Sequence, residues 1–238
     1  MDDAAGHGHL AVVRWLHENR SEGCSIAAMN GASKGGHQTV VQWLHENRTE
    51  GCTTQAMDDA AGHGHLAVVR WLHENRSEGC TSVAMSLAAK SGHLAVMRWL
   101  HTNCSLECTS LAMMCAAQKG HLPMVEWLYA NRTANRRESG SISYWALDYA
   151  AAGGHVRVME WLHCNTTCSN KGPGPDDIEA TETRSVCAMV LAAGNGHLAA
   201  VEWLHCNGLE GCVVGDRAMD LAALGGHLSV IEWLHANR

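Results

Sequence analysis

Residues 53–76 read TTQAMDDAAGHGHLAVVRWLHENR, and this stretch carries the signals of two short helices joined by a tight turn. Thr53 suits a helix N-cap, because its hydroxyl accepts a hydrogen bond from a free N–H of the first turn. Met57 and the alanine pair at 60 and 61 fall on one face of the first helix. Gly64 follows at the end of this helix. The backbone often takes the left-handed conformation there, and glycine adopts it at little energetic cost.

The second helix is predicted from about His65 to Asn75. Leu66, Val69 and Leu72 share one of its faces, with Trp71 beside them. Each helix is near or below the ~12 residues at which an isolated helix becomes marginal. The helices must therefore be stabilised by stacking against neighbouring copies, as in a solenoid.

The same pattern returns eight times along the chain. Its turn histidines are His9, His37, His65, His93, His121, His155, His197 and His227. A tryptophan follows each of them six residues later, at 15, 43, 71, 99, 127, 161, 203 and 233. Residues 1–24 and 57–80 are identical, as expected from duplication.

We therefore predict a single repeat array over residues 1–238. Its repeats, numbered one to eight, are 1–24, 25–52, 53–80, 81–108, 109–132, 143–165, 185–212 and 215–238. Two insertions, 133–142 and 166–184, interrupt the later part. The first helices are expected to begin at Ser25, Thr53, Thr81, Thr109, Ser143 and Ser185, with Gly215 at this position in the last repeat.

Composition excludes several classes of protein. The 238 residues carry a net charge of −7, which argues against a nucleic-acid binder with a basic face. No apolar run approaches the roughly 18 residues of a membrane helix. The first residues lack the basic and apolar regions of a signal peptide. We expect a monomeric cytoplasmic or nuclear protein that contacts no membrane and whose 11 cysteines are thiols.

The recurring string Ala-Ala-x-x-Gly-His-Leu-x-Val-Val-x-Trp-Leu resembles the ankyrin repeat. Each repeat is about five residues shorter than the usual ~33, and the Thr-Pro-Leu-His tetrapeptide of that family is replaced. The short Trp-Leu-His-Glu-Asn-Arg form looks like that of protist and giant-virus ankyrin proteins. The resemblance implies an all-α helix-turn-helix solenoid of eight repeats with trimmed hairpin loops. It also implies protein–protein binding in a concave groove, with neither catalysis nor a cofactor.

The 17 histidines and 11 cysteines suggest a metal site as an alternative. Most of them, however, recur at fixed positions of the repeat, so their number follows from the number of repeats. Local clusters occur only at His101, Cys104 and Cys108 and at His163, Cys164 and Cys168. Their spacing matches zinc-binding cysteine pairs poorly. We therefore predict that none of these residues is a metal ligand. The alternative function is that of a Cys/His metal-binding or redox-sensing repeat protein.

Enzymatic activity is not indicated. The chain has no phosphate-binding loop, no Gly-x-Ser-x-Gly and no His-Glu-x-x-His. The recurring tryptophans are expected to form core between neighbouring repeats, since a large aromatic side chain at such a position is usually buried.

The first helices vary at two positions, two residues before and two after the methionine. These positions point roughly opposite the buried face. They hold Val83 and Leu87, Leu111 and Cys115, Trp145 and Tyr149, Cys187 and Leu191, and Arg217 and Leu221. An exposed apolar patch marks a partner site, so we predict partner contacts at Leu87, Cys115, Trp145, Tyr149, Leu191 and Leu221. The alternative is that Val83, Leu111 and Trp145 are core, because the matching threonine of the ankyrin family is largely buried.

The insertions supply a second candidate surface. Residues 133–142 are basic, whereas residues 166–184 are acidic. The resemblance places both in the loops that form fingers over an ankyrin groove, so Arg136 and Arg137 are predicted partner contacts. The alternative is that both insertions are merely tolerated at loop tips.

A further interpretation is that residues 1–238 are the recognition segment of a larger protein, because Met1 falls at an internal position of the repeat.

Overall fold

The repeat pattern produces one helix pair after another. The computed structural model describes residues 1–131, 139–167, 188–209 and 214–237, and these residues form helices and no strand. In chain order the helices are α1 (Asp2–Gly6), α2 (Leu10–Asn19), α3 (Ile26–Lys34), α4 (Gln38–Asn47), α5 (Thr54–Gly62), α6 (Leu66–Asn75), α7 (Ser82–Ser91), α8 (Leu94–Asn103), α9 (Ser110–Gln118), α10 (Leu122–Asn131), α11 (Ser139–Ala152), α12 (Val156–Thr167), α13 (188–194), α14 (Leu198–Cys206), α15 (Val214–Leu224) and α16 (Leu228–Ala236). Odd-numbered helices are the first helices of the repeats, and even-numbered helices are the second.

Hydroxyl side chains start the first helices where the sequence predicts. The Thr53 hydroxyl accepts a hydrogen bond from the backbone N–H of Gln55 at 3.3 Å. Ser25 and Thr81 cap α3 and α7 in the same way. The prediction fails for Ser143, which lies inside α11, because that helix already begins at Ser139. No proline interrupts residues 139–142, so nothing in the sequence stops the helix from extending into the predicted insertion.

Left-handed glycines make the turns between the two helices of each repeat. The glycine before each turn histidine, Gly64 in repeat three, has φ between +72° and +80° in all eight repeats. The turn is also crowded by the following repeat. A Cβ added at Gly64 would lie 2.7 Å from the His93 ring. Glycine is therefore required both by the backbone conformation and by the neighbouring imidazole.

Small and branched apolar side chains form the core. In repeat three the first helix buries Ala56, Met57 and the alanine pair, and the second helix buries Val68 and Leu72. The neighbouring repeat provides much of this cover. Val12 of repeat one is 48% exposed, whereas its equivalent Val40, which has a repeat on both sides, is fully buried.

The prediction that the recurring tryptophans are core is wrong. None of the eight is buried, and Trp15 is 56% exposed. They lie between repeats at the surface of the second helices. The histidine two residues after the preceding tryptophan packs against the ring at Trp43, Trp71, Trp99, Trp203 and Trp233. His45 and Trp71 pack edge-on with centroids 5.2 Å apart, and Tyr129 replaces the histidine against Trp161. The valines and leucines fill the space on the inner face, which leaves only an edge contact for the indole.

Polar side chains also join consecutive repeats, at the position after the methionine. The Asp58 carboxylate accepts hydrogen bonds from the Thr81 N–H at 2.8 Å and from its hydroxyl at 2.7 Å. Asp2 holds Ser25 in the same manner, and Asn30 holds Thr53 through its amide oxygen and nitrogen. We call this pair of bonds the inter-repeat clasp. It ties the N-cap of one first helix to the middle of the preceding one.

The chain divides into two compact halves, Met1–Ala112 and Met113–Arg238. In the N-terminal half the first helices α1, α3, α5 and α7 pack side by side, and the second helices α4, α6 and α8 form the layer behind them. In the C-terminal half α11 packs on α12 and α15 on α16, and the second helices α10, α12, α14 and α16 contact one another in order. The array over residues 1–238 and the repeat bounds given above stay predictions.

Candidate protein-interaction surface

Large apolar side chains are exposed on the first helices. Val83, Leu111 and Trp145, two residues before the methionine position, are each about half exposed, and Leu191 is 38% exposed. The alternative that Val83, Leu111 and Trp145 are core is therefore wrong. Their helices turn this side toward solvent, because the alanine pairs and methionines occupy the opposite, buried side.

The other predicted contacts are half-buried. Leu87 packs against Gly62 of the preceding repeat, where an added Cβ would lie 2.9 Å from the Leu87 Cβ. Leu221 occupies the same place over Gly194, at 3.2 Å. These two leucines thus fill gaps between first helices in addition to reaching the surface. Cys115 and Tyr149 are also half-buried.

Arg136 and Arg137 lie outside the described residues. Their contact with a partner therefore stays a prediction.

Repeat three shows what these positions hold when no apolar surface is formed. Gln55 is exposed, and its side-chain amide donates a hydrogen bond to the Asp59 carboxylate at 3.2 Å. Val83 and Leu87 replace this polar pair one repeat later. At these two positions in the described C-terminal repeats, Trp145 on α11 and Leu191 on α13 are exposed apolar side chains, and Tyr149 and Leu221 are partly covered. This surface is therefore a property of particular repeats.

The predicted His/Cys cluster at 101–108 does not come together as one site. The Cys108 sulfur lies 3.9 Å from His101 Nδ1, but the Cys104 sulfur lies 3.9 Å from Nδ1 of His73 in the preceding repeat. Within the part of the chain that the structure describes, no group of three or more His, Cys, Asp or Glu has the geometry of a metal site. Cys168 of the second cluster lies outside that part.

Burial disfavours loss of the thiol proton at the recurring cysteines and at Cys104. It is the main cause that raises the thiol pKa of Cys24, Cys52, Cys104 and Cys108, and the pKa of Cys80 reaches about 12. A thiol is a weak nucleophile and metal ligand until it loses its proton. These side chains are therefore half-buried thiols rather than activated ones.

Turn histidines pack over the left-handed glycine of the preceding repeat, as seen for His37, His65, His93, His155, His197 and His227. Burial lowers the pKa of His65, and the neighbouring His63, His37 and His93 lower it further, although the Lys34 carbonyl opposes them by accepting a hydrogen bond. His155 is equivalent: burial lowers its pKa most, His197, His121 and Lys119 add to this, and the Gln118 carbonyl opposes it. Both imidazoles are therefore held in the neutral form.

We expect stability to fall on acidification because of these histidines. Their folded-state pKa lies below the unfolded value near 6.5, so the unfolded chain takes up protons first. The stabilisation is complete above about pH 6.5 and is lost as pH falls through the lowered folded-state value. Urea midpoints measured from pH 7.5 to 5 test this. The His65→Asn variant should show a shallower dependence, and an unchanged slope would contradict the assignment.

No described helix is long and apolar enough to cross a membrane.

Comparison with known proteins agrees with the geometry. Family models described as ankyrin repeats match residues 59–138, 85–172, 1–73 and 187–235. The chain therefore belongs to the ankyrin-repeat family, and the predicted all-α ankyrin solenoid is confirmed. The crystal structure of the human ASB11 ankyrin repeat domain is similar over 88% of this chain and 97% of that chain, with a TM-score of 0.58 and 18% identity, a likeness of fold. Curated protein sequences gave no significant match. Ankyrin repeats are in general modules of protein–protein interaction, and the family is typically non-catalytic.

Proposed function

We propose that this protein is a non-catalytic interaction scaffold that binds a protein partner through the first helices of its C-terminal half. The observation that carries the proposal is the half-exposed indole of Trp145 on α11. Tryptophan is among the residues that dominate binding energy at protein interfaces. Leu191 on α13 extends the apolar surface, and the first helices line the concave face in ankyrin folds.

Partly covered side chains complete the proposed surface. Tyr149, Cys115 and Leu221 are half-buried, so their positions are fixed by packing before a partner arrives. Such preorganisation reduces the entropy lost on binding. Leu87 in the N-terminal half, and Arg136 and Arg137, are proposed as further contacts.

A matched set of variants tests the proposal. The double variant Trp145→Ala with Leu191→Asp removes the apolar surface, whereas Leu228→Asp places the same new charge at a leucine of the second helix α16 that is 64% exposed. All three proteins are immobilised and used for quantitative pull-downs from lysate of the source organism. We expect wild type and Leu228→Asp to retain the same protein, and the double variant to retain at least ~30-fold less, as for loss of a hot spot.

Circular dichroism of each variant controls for folding, because all three changes lie at exposed side chains. Equal retention by the folded double variant would contradict the proposed surface. Retention of no protein by wild type would contradict the proposed function.

A further inference from the structure

One inter-repeat contact recurs in the N-terminal half, around the residue that follows the second helix. Arg48 of repeat two reaches back to repeat one, where its guanidinium lies 3.4 Å from His17 Nδ1 and interacts with the Cys24 side chain. It also pairs with Glu50 of its own repeat. Each such arginine therefore meets a histidine and a cysteine of the preceding repeat.

Arg76 repeats this arrangement one repeat later. Its guanidinium lies 3.4 Å from His45 Nδ1, interacts with the Cys52 side chain and pairs with Glu78. Arg76 and Cys52 also line the same small void between the repeats. The side chain directly after the second helix, Arg48 or Arg76, thus lies next to the cysteine 24 residues earlier in the chain.

Repeat four places a cysteine where the two arginines stood. Cys104 occupies the position of Arg48 and Arg76, and Leu106 replaces the glutamate. The contacts to the preceding repeat are kept: the Cys104 sulfur lies 3.9 Å from His73 Nδ1, and the side chains of Cys104 and Cys80 interact with each other. A pair of thiols therefore bridges repeats three and four where earlier repeats have an arginine and a thiol.

We propose that Cys80 and Cys104 are a redox site that forms a reversible disulfide joining repeat three to repeat four. With a low-molecular-weight disulfide as oxidant, one protein thiolate attacks a sulfur of the oxidant and releases a thiol. The second protein thiolate then attacks the mixed disulfide, forms the S–S bond between Cys80 and Cys104 and releases a second thiol. The two cysteines lose two electrons and two protons, and the oxidant is reduced to two thiols.

The surroundings favour a slow and persistent switch. Because burial raises the pKa of both thiols, little thiolate is present at neutral pH, and exchange is slow. The same property makes each sulfur a poor leaving group, so the disulfide resists reduction once formed. His73 Nδ1 lies where it can accept a hydrogen bond from the Cys104 thiol when its other nitrogen carries the hydrogen.

Mass spectrometry tests the site directly. The full chain is equilibrated overnight in mixtures of reduced and oxidised glutathione, quenched in acid and alkylated with N-ethylmaleimide. Cleavage after Lys, Arg and Glu separates residues 79–90, whose sole cysteine is Cys80, from residues 99–107, whose sole cysteine is Cys104. We expect these two peptides to appear joined under oxidising mixtures, two hydrogen atoms lighter than their sum, and to separate again under reducing mixtures.

Two variants make the outcome decisive. Cys104→Arg restores the residue of repeats two and three and should fold but form no cross-link. Cys108→Ala removes the next cysteine along and should leave the cross-link intact. The oxidised wild type should also unfold on the order of 5 °C higher than the reduced form, a shift absent from Cys104→Arg. Separate alkylation of Cys80 and Cys104 after oxidation, or pairing of either with another cysteine instead, would overturn the proposal.

Discussion

An Asp58→Ala substitution is expected to lower the free energy of unfolding of the N-terminal half by about 3 kcal/mol. The Asp58 side chain is 7% exposed and accepts both the N–H and the hydroxyl hydrogen of Thr81. Alanine would leave these two donors without their partner in a partly buried place and would weaken the start of α7. Bonds to a carboxylate are worth more than bonds between neutral groups, which sets the size of the effect.

Two control variants separate the clasp from other roles of this residue. Asp58→Asn should remain close to wild type, because Asn30 makes the equivalent clasp to Thr53 with its oxygen and its nitrogen. Asp59→Ala removes the neighbouring, more exposed carboxylate and should cost less than about 0.5 kcal/mol. Urea denaturation followed by circular dichroism measures all three. Equal losses for Asp58→Ala and Asp58→Asn would show that the clasp is not the source of stability.

A Gly64→Ala substitution is expected to cost about 3 kcal/mol in total. The residue has φ +80°, which an L-residue adopts at a cost of roughly 1–2 kcal/mol. The new methyl group would also lie 2.7 Å from the His93 ring, so the imidazole would have to leave its place over the turn. This second contribution is about 1–2 kcal/mol, typical of overpacking.

Gly79→Ala isolates the backbone contribution. Gly79 lies in the same half with φ +68°, but a Cβ there would meet no atom within 4 Å. We expect Gly79→Ala to lose only the conformational part, about 1–2 kcal/mol. The same urea denaturation measures the difference. If both variants lost the same stability, the ring of His93 would contribute nothing to the requirement for glycine.

The features that repeat along the chain could be predicted because they depend on one helix or one turn. The cap at Thr53, the left-handed Gly64 and the buried alanine pair follow from backbone chemistry and helical periodicity within 24 residues. Each is governed by neighbours in sequence. For the same reason the start of α11 was missed, since Ser143 is a good cap but nothing before it ends the helix.

Contacts between repeats could not be predicted from one repeat. The clasp from Asp58 to Thr81 joins residues 23 apart, and which side chains meet depends on the register of one helix pair against the next. The same register leaves Trp71 an edge contact with His45 instead of a buried site. A signal was nevertheless present, because Asp2, Asn30 and Asp58 recur 28 residues apart, each followed 23 residues later by Ser or Thr.

Helical periodicity indicated which side chains of the first helices point away from the core, but it left their exposure open. Helical periodicity puts Val83 and Trp145 opposite the methionines, and the structure finds both half exposed. Periodicity could not show that Leu87 and Leu221 rest on glycines of the preceding repeat. Their burial depends on the absence of a side chain at Gly62 and Gly194, which is a property of the neighbour.

Site-specific photocrosslinking tests most directly whether a partner binds the first helices of the C-terminal half. A photoreactive phenylalanine is placed at Leu191 in one protein and at Leu228, on the second helix α16, in another, and both are irradiated in the source lysate. The account predicts a cross-linked protein from position 191 that is absent or much weaker from position 228. A product from position 228 alone, or equal products from both positions, would contradict it.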